Sequence, residues 1–319
     1  MLTDLHGDEL LAYRSSLIEP PDFDEFWAGT LAEAAGHDVG VRLVEVATGL
    51  TTVQVYDVTF RGYAGQDVRA WLRVPAGHAG PLPAVVQFVG YGGGRGHALE
   101  ALLWASAGFA HLHMDTRGQG AGRTVGDTPD PAPAGPQVPG VMTRGILDPA
   151  TYYYRRLYTD AVRAVDAARS LPQVDPDRIA VLGGSQGGGL ALAVAGLRTD
   201  LAAAVAFVPF LCDFSRAVRI TDAYPYREIA DYLAIHRDSV AQVHRTLGYF
   251  DGVAFARRAS APALFSAALM DETCPPSTVH GAFHEYAGPR EMLLWEFNGH
   301  EGGGILDEAR ALEFLRATL

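Results

Sequence analysis

One serine of the chain lies in a setting that suggests nucleophilic chemistry. Ser185 is the central residue of Gly-Gly-Ser-Gln-Gly at positions 183–187, which has the form Gly-x-Ser-x-Gly. An apolar run at 178–182 precedes this pentapeptide and a helix-like run at 188–197 follows it, which indicates a strand, a tight turn and a helix. Such a turn is strained and projects the serine oxygen away from the sheet. The sequence therefore predicts Ser185 as a nucleophile and the backbone N–H of Gln186 as an oxyanion donor.

A serine hydroxyl needs a base to remove its proton near neutral pH, and the base needs an acid to orient it. His300 follows the last predicted strand, at 291–297, and Asp271 follows the preceding one, at 263–269. We therefore expect both at the carboxyl edge of the sheet, in the chain order Ser, acid, His. Glu272 is a competing acid, and adjacent residues point apart. Asp271 is favoured because it lies closer to the end of its strand.

A glycine-rich loop follows the predicted strand at 84–89. The loop, Gly-Tyr-Gly-Gly-Gly-Arg-Gly at 90–96, would let the backbone approach a reacting carbonyl. We expect the backbone N–H of Tyr91 to be the second oxyanion donor. The loop lacks the GxGxxG spacing of a dinucleotide site and the Lys-Ser/Thr of a P-loop, which argues against phosphate binding.

Other polar residues have simpler interpretations. His111 and His113 lie two apart in a predicted strand and share one face, but no third ligand accompanies them, so we expect buried, satisfied side chains rather than a metal site. Asp115 precedes Thr-Arg-Gly-Gln-Gly at 116–120, which we interpret as a salt-bridged turn. The three tyrosines and two arginines at 152–156 are typical of a packed, hydrogen-bonded junction.

Short apolar runs alternate with glycine-rich turns and helical patterns from about residue 84 onward. This order predicts a mainly parallel central sheet flanked by helices, and the serine turn makes it an α/β-hydrolase fold of the α/β class. Upstream, 53–59 and 68–74 alternate in polarity and predict an antiparallel hairpin. The other predicted strands are 84–89, 110–114, 178–182, 203–208, 263–269 and 291–297, and the predicted helices are 99–107, 158–170 and 188–197.

Two segments interrupt this alternation. Residues 128–140 contain five prolines, which predicts a long surface loop. Residues 213–258 are longer than a normal crossover and rich in tyrosine, so we expect a largely helical insertion that covers the site at the carboxyl edge. A long crossover without a role at the site is the alternative. We expect one domain over residues 1–319, with 1–50 as an N-terminal extension.

Composition excludes several classes of protein. Apolar residues are 48% and charged residues 19% of the 319 residues, as in globular proteins. The net charge of −12 and the lack of a dense basic run argue against a nucleic-acid partner. No apolar run reaches the roughly 18 residues of a membrane helix, and 1–13 lack the pattern of a signal peptide. We therefore expect no membrane association and a cytoplasmic enzyme, with Cys212 and Cys274 reduced rather than disulfide-bonded.

Several motifs together resemble one family, the acetyl xylan esterase / cephalosporin-C deacetylase family, carbohydrate esterase family 7. The resemblance extends over nearly the whole chain. Three of its motifs form a set that is specific to this family within the α/β-hydrolases: Arg-Gly-Gln-Gly, Gly-Gly-Ser-Gln-Gly-Gly-Gly and His-Glu. The matching positions are 90–91, 95–96, 115–120, 145–149, 152–156, 183–189, 270–271, 274–278 and 300–301.

The resemblance implies roles for residues at the matching positions. Ser185, Asp271 and His300 would form a catalytic triad, and the backbone amides of Tyr91 and Gln186 would form the oxyanion hole. This assignment agrees with the interpretation of the residues themselves. It also strengthens the choice of Asp271 as the acid.

The resemblance further implies properties that spacing does not reveal. They are hydrolysis of acetyl esters on short xylo-oligosaccharides and on cephalosporin C, no cofactor or metal, a cytoplasmic location, and a hexamer whose sites face an internal cavity. Pro225 of the insertion would help to close a small acyl pocket. Gly92 and Glu272 depart from the asparagines of several family members, which affects the expected substrate preference rather than the reaction.

Two alternative functions remain open at this point. A triad alone does not distinguish ester from amide hydrolysis, so an aminopeptidase-like or dienelactone-like hydrolase is one alternative. A catalytically inactive binding protein on the same fold is the other, although all three triad positions carry suitable side chains.

Overall fold

The computed structural model describes residues 1–132 and 135–319. Its strands, all in one sheet, are β1 (Arg42–Glu45), β2 (Val53–Arg61), β3 (Asp67–Pro75), β4 (Leu82–Phe88), β5 (Ala110–Met114), β6 (Val174–Gly184), β7 (Ala203–Phe207), β8 (Ala263–Ala268) and β9 (Arg290–Trp295). Their order in the sheet is β1-β2-β3-β5-β4-β6-β7-β8-β9. The pairs from β5 through β9 are parallel, whereas the pairs that join β1, β2, β3 and β5 are antiparallel.

Helices cover both faces of this sheet. Within the described ranges they are α1 (Gly7–Ala12), α2 (Phe23–Ala35), α3 (Leu103–Ser106), α4 (Tyr153–Arg169), α5 (Gln186–Leu197), α6 (Phe214–Ile220), α7 (Tyr226–Ile235), α8 (Val240–Gly248), α9 (Gly252–Ala256), α10 (Pro276–Glu285) and α11 (Ile305–Thr318). Successive side chains of a strand point to opposite faces of the sheet. On β4, Val86 therefore packs against α4 and α5 on one face, and Val85 packs against α3 and α11 on the other.

The predicted strands from residue 84 onward each overlap an observed strand, and the predicted hairpin is the antiparallel pair β2 and β3. The helix predicted at 158–170 begins earlier, at Tyr153, because the buried tyrosines join its first turn. The helix predicted at 99–107 is wrong for its first half. Glu100 accepts a hydrogen bond from the N–H of His97, and Ala101 has a φ of 51°, which a helix does not allow.

The proline-rich segment 128–140 forms no helix or strand in its described residues, as predicted, and Pro133 and Ala134 lie outside them. Part of it is not at the surface, however. The carboxylate of Asp130 is buried against the guanidinium groups of Arg144 and Arg156. The segment therefore contributes to the interior as well as to the surface.

The segment 213–258 is largely helical, as predicted, and contains α6, α7, α8 and α9. The N-terminal residues pack against it. The indole N–H of Trp27 donates to the carbonyl of Tyr249 at 2.8 Å, and the Tyr249 hydroxyl donates to Asp22 at 2.6 Å. These contacts tie α2 to the end of α8.

Helix length and polarity bear on membrane association. Over residues 1–132 and 135–319, none of the helices is both long and apolar enough to cross a bilayer.

Candidate active site

Ser185 occupies the turn between β6 and α5, the context that the sequence predicts. Its φ of 55° and ψ of −122° are strained for a residue with a side chain. Glycines on either side allow this turn. A Cβ on Gly183 would lie 2.2 Å from the carbonyl carbon of Gly187, and a Cβ on Gly187 would lie 2.3 Å from the oxygen of Phe88. The backbone therefore closes around the serine and leaves its Oγ at the carboxyl edge of the sheet.

The structure brings Ser185, Asp271 and His300 into one hydrogen-bonded series. The Nε2 atom of His300 lies 2.9 Å from Ser185 Oγ, and its Nδ1 atom lies 2.8 Å from Asp271 Oδ2. With the ring proton on Nδ1, the imidazole donates to the aspartate and accepts from the serine. Asp271 follows β8 and His300 follows β9, so adjacent parallel strands deliver both side chains to the same edge.

The carboxylate of Asp271 is held on both of its oxygens. Oδ1 accepts from the backbone N–H groups of Thr273 at 2.8 Å and Cys274 at 2.9 Å, which leaves Oδ2 for His300. Glu272 is exposed and does not reach the histidine. The geometry thus places Asp271, and not the competing acid, beside His300.

The two amides predicted as oxyanion donors lie on either side of the serine turn. Gln186 begins α5, directly after Ser185, and Tyr91 follows β4 in the glycine-rich loop. Among the described residues, neither backbone N–H has a hydrogen-bond acceptor. Both are therefore free to donate to a bound oxygen.

Two glutamine side chains support the loop that carries Tyr91. The amide nitrogen of Gln186 donates to the carbonyl of Val89 at 3.2 Å. Gln119 accepts from the N–H of Gly92 at 2.7 Å and donates to Gln186 Oε1 at 3.0 Å. Sequence reasoning missed Gln119, although its position after β5, in a turn at the carboxyl edge, could have pointed to it.

The tyrosines at 152–154 form the buried junction that the sequence predicts, and one of them reaches the site. The Tyr154 hydroxyl donates to Gln186 Oε1 at 3.0 Å, and the Tyr153 hydroxyl donates to the carbonyl of Arg117 at 2.6 Å. Burial raises the pKa of both hydroxyls, so they remain donors. This junction fixes the side chain of the residue that follows the serine.

The predicted salt-bridged turn at 115–120 is right for Arg117 and wrong for Asp115. Arg117 forms a two-point ion pair with Asp160, at 2.5 and 2.8 Å. Asp115 forms no ion pair among the described residues; it accepts hydrogen bonds from backbone N–H groups, including those of Arg95 and Thr128. A buried carboxylate thus holds the turn through amides instead of a cation.

A cavity of about 140 Å³ opens beside Ser185. Pro225, the predicted pocket residue, lines it together with Gly90, Tyr91, Arg123, Tyr224, Thr273 and His300. A wider cleft of about 420 Å³ also borders the serine and includes Arg123. Its wall is mixed, with polar side chains such as Glu100, Glu301 and Glu308 beside apolar ones such as Phe88 and Phe207. Sequence reasoning missed Arg123, which lines both spaces.

Three side chains at the site could in principle bind a metal ion. One potential ligand atom from each of Asp271, Cys274 and His300 lies within 4.8 Å of the other two. Two of these residues are already hydrogen-bonded to each other, so a metal ion would have to break the contact between the aspartate and the histidine. Burial, together with the charge of Asp271, raises the pKa of the Cys274 thiol, which opposes the thiolate form that metals prefer. The arrangement therefore favours a proton relay over a metal site.

His111 is buried and His113 is partly exposed at the cleft; both rings are neutral, but neither is fully satisfied. Burial lowers the pKa of His111 and His113, that of His113 to about 3. His111 Nε2 lies 2.8 Å from Gln87 Oε1. Among the described residues, the Nδ1 atoms of both rings have no partner, which corrects the expectation of satisfied side chains.

Comparison with known proteins decides the family. A model of the family "Acetyl xylan esterase (AXE1)" matches residues 1–318. The chain belongs to the acetyl xylan esterase family. The acetyl esterase Axe7A of Xylanibacter ruminicola is 30% identical over 284 residues, which are 88% of this chain and 63% of that protein. The chain thus spans less than two thirds of the length of this relative.

Two solved structures match over almost their whole length. An acetyl xylan esterase from Paenibacillus sp. R4 is 42% identical, with a TM-score of 0.93 over 99% of this chain and 100% of its own. Acetyl Xylan Esterase 1 from Thermoanaerobacterium sp. JW/SL YS485 is 32% identical, with a TM-score of 0.90 over 98% and 99%. The predicted α/β-hydrolase fold and the resemblance to acetyl xylan esterases are therefore confirmed.

Proposed function

We propose that this member of the acetyl xylan esterase family is a serine esterase that removes acetyl groups from small carbohydrate esters and from cephalosporin C. The single observation that supports it most is the series Ser185, His300 and Asp271 at 2.9 and 2.8 Å beside a cavity of about 140 Å³. A cavity of that size suits a short acyl group better than a long one. The family match supports the ester class of substrate.

The first step of the proposed reaction forms an acetyl-enzyme. His300 takes the proton of Ser185 while Oγ attacks the acetyl carbonyl carbon, and the carbonyl oxygen becomes an oxyanion. The amides of Tyr91 and Gln186 donate to this oxyanion; one such donor typically contributes about 2.7 to 4 kcal/mol to the transition state. The imidazolium, stabilised by Asp271, then protonates the leaving alcohol as the carbon–oxygen bond breaks.

The second step releases acetate. Water enters where the alcohol has left, His300 removes its proton, and the resulting hydroxide attacks the acetyl carbon. The tetrahedral intermediate collapses as Ser185 Oγ leaves and regains its proton from the imidazolium. The wider cleft that also borders the serine would accommodate the leaving alcohol and the entering water.

A comparison of ester and amide substrates tests the reaction class. We expect 4-nitrophenyl acetate to be hydrolysed with a higher kcat/KM than an aminoacyl 4-nitroanilide. Ser185→Ala should lower kcat by about 10⁶-fold, because the nucleophile is lost. A higher kcat/KM for the anilide would contradict the esterase and favour a peptidase. Failure of a fluorophosphonate to label Ser185 would favour an inactive binding protein.

A panel of natural acetyl esters tests the substrate class. We expect activity on acetylated xylo-oligosaccharides and cephalosporin C, and little on acetylated polymeric xylan or on esters with long acyl chains. Acetate release is the measurement. Preference for the polymer would contradict the proposal of small substrates.

We extend the proposal to assembly and location on the basis of the family resemblance. It implies a hexamer in the cytoplasm and no cofactor, whereas the net charge of −12 and the lack of a long apolar run argue against a nucleic-acid partner and membrane association. Light scattering coupled to size-exclusion chromatography measures the mass of the assembly, and a monomer at micromolar concentration would contradict the hexamer. Fractionation of the native cells tests the cytoplasmic location.

A further inference from the structure

A buried carboxylate of the insertion contacts the loop that carries Tyr91. Glu228 lies in the first turn of α7 and is 3% exposed. Its Oε1 accepts from the Tyr91 hydroxyl at 2.6 Å, and its Oε2 accepts from the backbone N–H of Met142 at 3.0 Å. The Tyr91 hydroxyl in turn accepts from the N–H of Val141 at 2.7 Å. One carboxylate and one phenol therefore join the glycine-rich loop, the insertion and the segment around residue 141.

The backbone makes room for this carboxylate. Gly140 has a φ of +115°, and a Cβ there would lie 2.2 and 2.3 Å from the two oxygens of Glu228. Any side chain at this position would collide with the carboxylate and would also strain the backbone. The close approach of Gly140 thus lets Met142 and Val141 donate from the same stretch of chain.

The carboxylate is also unusual in having no cation beside it. Among the described residues, no arginine, lysine or histidine forms an ion pair with Glu228. Burial raises the pKa of its carboxyl group, while the hydrogen bonds from Tyr91 and Met142 lower it in part. Burial and the charge of Glu228 raise the pKa of the Tyr91 hydroxyl, which stays a donor. Burying a carboxyl group without a cation lowers the stability of the fold. Glu228 is therefore a candidate for a role other than stabilisation.

The position connects the carboxylate to the proposed oxyanion site. The Tyr91 side chain is held at its far end by Glu228, while the residue itself lines the small cavity beside Ser185 and its backbone N–H has no acceptor among the described residues. Pro225, three residues before Glu228, lines the same small cavity as Tyr91. A movement of α7 would therefore displace the donor amide and the cavity wall together.

Resting on the proposed function, we infer that Glu228 is a positioning residue that orients the Tyr91 amide toward the oxyanion and couples the insertion to the acyl cavity. Glutamine would not reproduce both contacts. The two donors, O–H of Tyr91 and N–H of Met142, each face one oxygen, and an amide offers a single acceptor oxygen. Its NH₂ group would either face the N–H of Met142 or donate to the Tyr91 hydroxyl, which would then lose the acceptor for its own proton. Displacement of a catalytic group by about 1 Å can lower the rate about 10²-fold.

Kinetics of matched variants test the inference. Glu228→Gln, Tyr91→Phe and the double variant are compared with wild type on 4-nitrophenyl acetate. We expect each single variant to lower kcat by about 10- to 100-fold with KM changed less than about threefold, because the effect falls on the transition state. The double variant should be no slower than the slower single variant, because both changes break the same contact between the Tyr91 hydroxyl and Glu228.

A boronic acid provides a readout that does not depend on turnover. Phenylboronic acid adds to the serine and places a negatively charged oxygen where the oxyanion forms. We expect its Kd to rise in Glu228→Gln in proportion to the fall in kcat. Gly140→Ala, which crowds the carboxylate from the other side, should have the same effect on both measurements.

Asp251→Asn is the matched control. Asp251 is another buried carboxylate of the insertion that forms no ion pair within residues 1–132 and 135–319, and it accepts from the backbone N–H groups of Asp213 and Phe214. It does not touch the glycine-rich loop, so this variant should change Tm without changing kcat or the boronate Kd. Glu228→Gln with kcat within twofold of wild type, an additive double variant, or a loss that is entirely in KM would overturn the inference.

The test also separates the inference from the proposed function. Inactivity of the wild type on acetate esters contradicts the esterase. In that case the boronate Kd still decides the role of Glu228, because it reports the geometry of the oxyanion site. An unchanged Kd in Glu228→Gln contradicts the inference even if the esterase is active.

Discussion

The carboxylates of Asp271 and Glu272 are adjacent in the chain but lie in different surroundings. Asp271 is fully buried, accepts two backbone N–H bonds on Oδ1 and faces His300 with Oδ2. Glu272 is exposed, and its backbone carbonyl accepts from the Thr221 hydroxyl. The two side chains point in different directions, because successive side chains leave the backbone on different sides.

This difference predicts opposite outcomes for two conservative substitutions. Asp271→Asn should lower kcat by about 10⁴-fold, since an amide holds the imidazole in the wrong tautomer. Glu272→Gln should leave kcat within about twofold. Steady-state kinetics on 4-nitrophenyl acetate check both, and the reverse ranking would reject Asp271 as the acid.

At the scale of elements, the insertion contributes one wall of the small cavity. Pro225 precedes α7 and lines the cavity together with Tyr224 and Thr273. The strand ends supply the reacting groups, whereas the insertion limits the space in front of them. Substrate size should therefore depend on the insertion more than on the triad.

Pro225→Ala tests this dependence on acyl size. Removing ring carbons from the wall should favour longer acyl chains, because it enlarges the cavity. A methylene contributes about 1 to 3 kcal/mol in a hydrophobic pocket, and the lower end of this range applies to a wall that is only partly apolar. We expect the ratio of kcat/KM for 4-nitrophenyl butyrate over the acetate to rise by about tenfold. Ile235→Ala, at the exposed end of the same helix, is the control and should leave the ratio unchanged. No change in Pro225→Ala would argue that another surface limits the acyl group.

The turn after β5 depends on a buried ion pair. The side chains of Arg117 and Asp160 are both fully buried and bonded at two points, and Tyr153 donates to the carbonyl of Arg117. The ion pair thereby fixes the turn that carries Gln119 to the middle of α4, and Tyr153 fixes it to the start of that helix. Arg42 and Asp67, whose side chains are 58% and 54% exposed, form a surface pair of similar length.

The two ion pairs should respond very differently to removal of the arginine. Arg117→Met leaves Asp160 buried with the N–H of Tyr63 but without a cation among the described residues, and should lower the free energy of unfolding by about 3 to 5 kcal/mol. Arg42→Met should change it by less than about 1 kcal/mol. Urea unfolding measures both. Similar losses of unfolding free energy in the two variants would mean that burial does not strengthen the contribution of the ion pair between Arg117 and Asp160.

At the scale of the whole molecule, one buried cluster joins the N-terminal segment to the insertion. The Tyr13 hydroxyl donates to Asp213 Oδ2 at 2.6 Å, and Asp251 accepts from the backbone N–H groups of Asp213 and Phe214. Burial, followed by the charge of Asp213, raises the pKa of Asp251 to about 7. The folded protein therefore binds a proton that the unfolded chain has released.

This linkage predicts a dependence of stability on pH. An unfolded aspartate titrates near about 4, so between that pH and the folded value the native state binds more protons. The contribution of Asp251 to stability is then present at low pH and is lost as pH rises toward about 7. The difference in unfolding free energy between wild type and Asp251→Asn should therefore be more favourable to wild type at pH 5 than at pH 8. Equal differences in unfolding free energy at pH 5 and at pH 8 would contradict a raised pKa of Asp251.

Local features of the chain were predictable from the sequence. Gly183 and Gly187 flank Ser185 and allow the backbone to close around it, so the pentapeptide alone predicted a tight turn between a strand and a helix. Alternating apolar runs placed Asp271 and His300 after successive strands, because parallel strands end at one edge of the sheet. These inferences depend on a few neighbouring residues or on a repeated pattern, both of which a sequence contains.

Contacts between distant segments were decided by the tertiary structure alone. Gln119 and Gln186 meet across 67 residues, and Tyr91 and Glu228 across 137. No local pattern distinguishes Glu228 from a surface glutamate of an amphipathic helix, and its burial depends on where the insertion packs. The sequence by itself thus determined the strand ends that carry the reacting groups. The folded chain decided which side chains hold the oxyanion loop, because their contacts depend on distances between segments that the sequence does not encode locally.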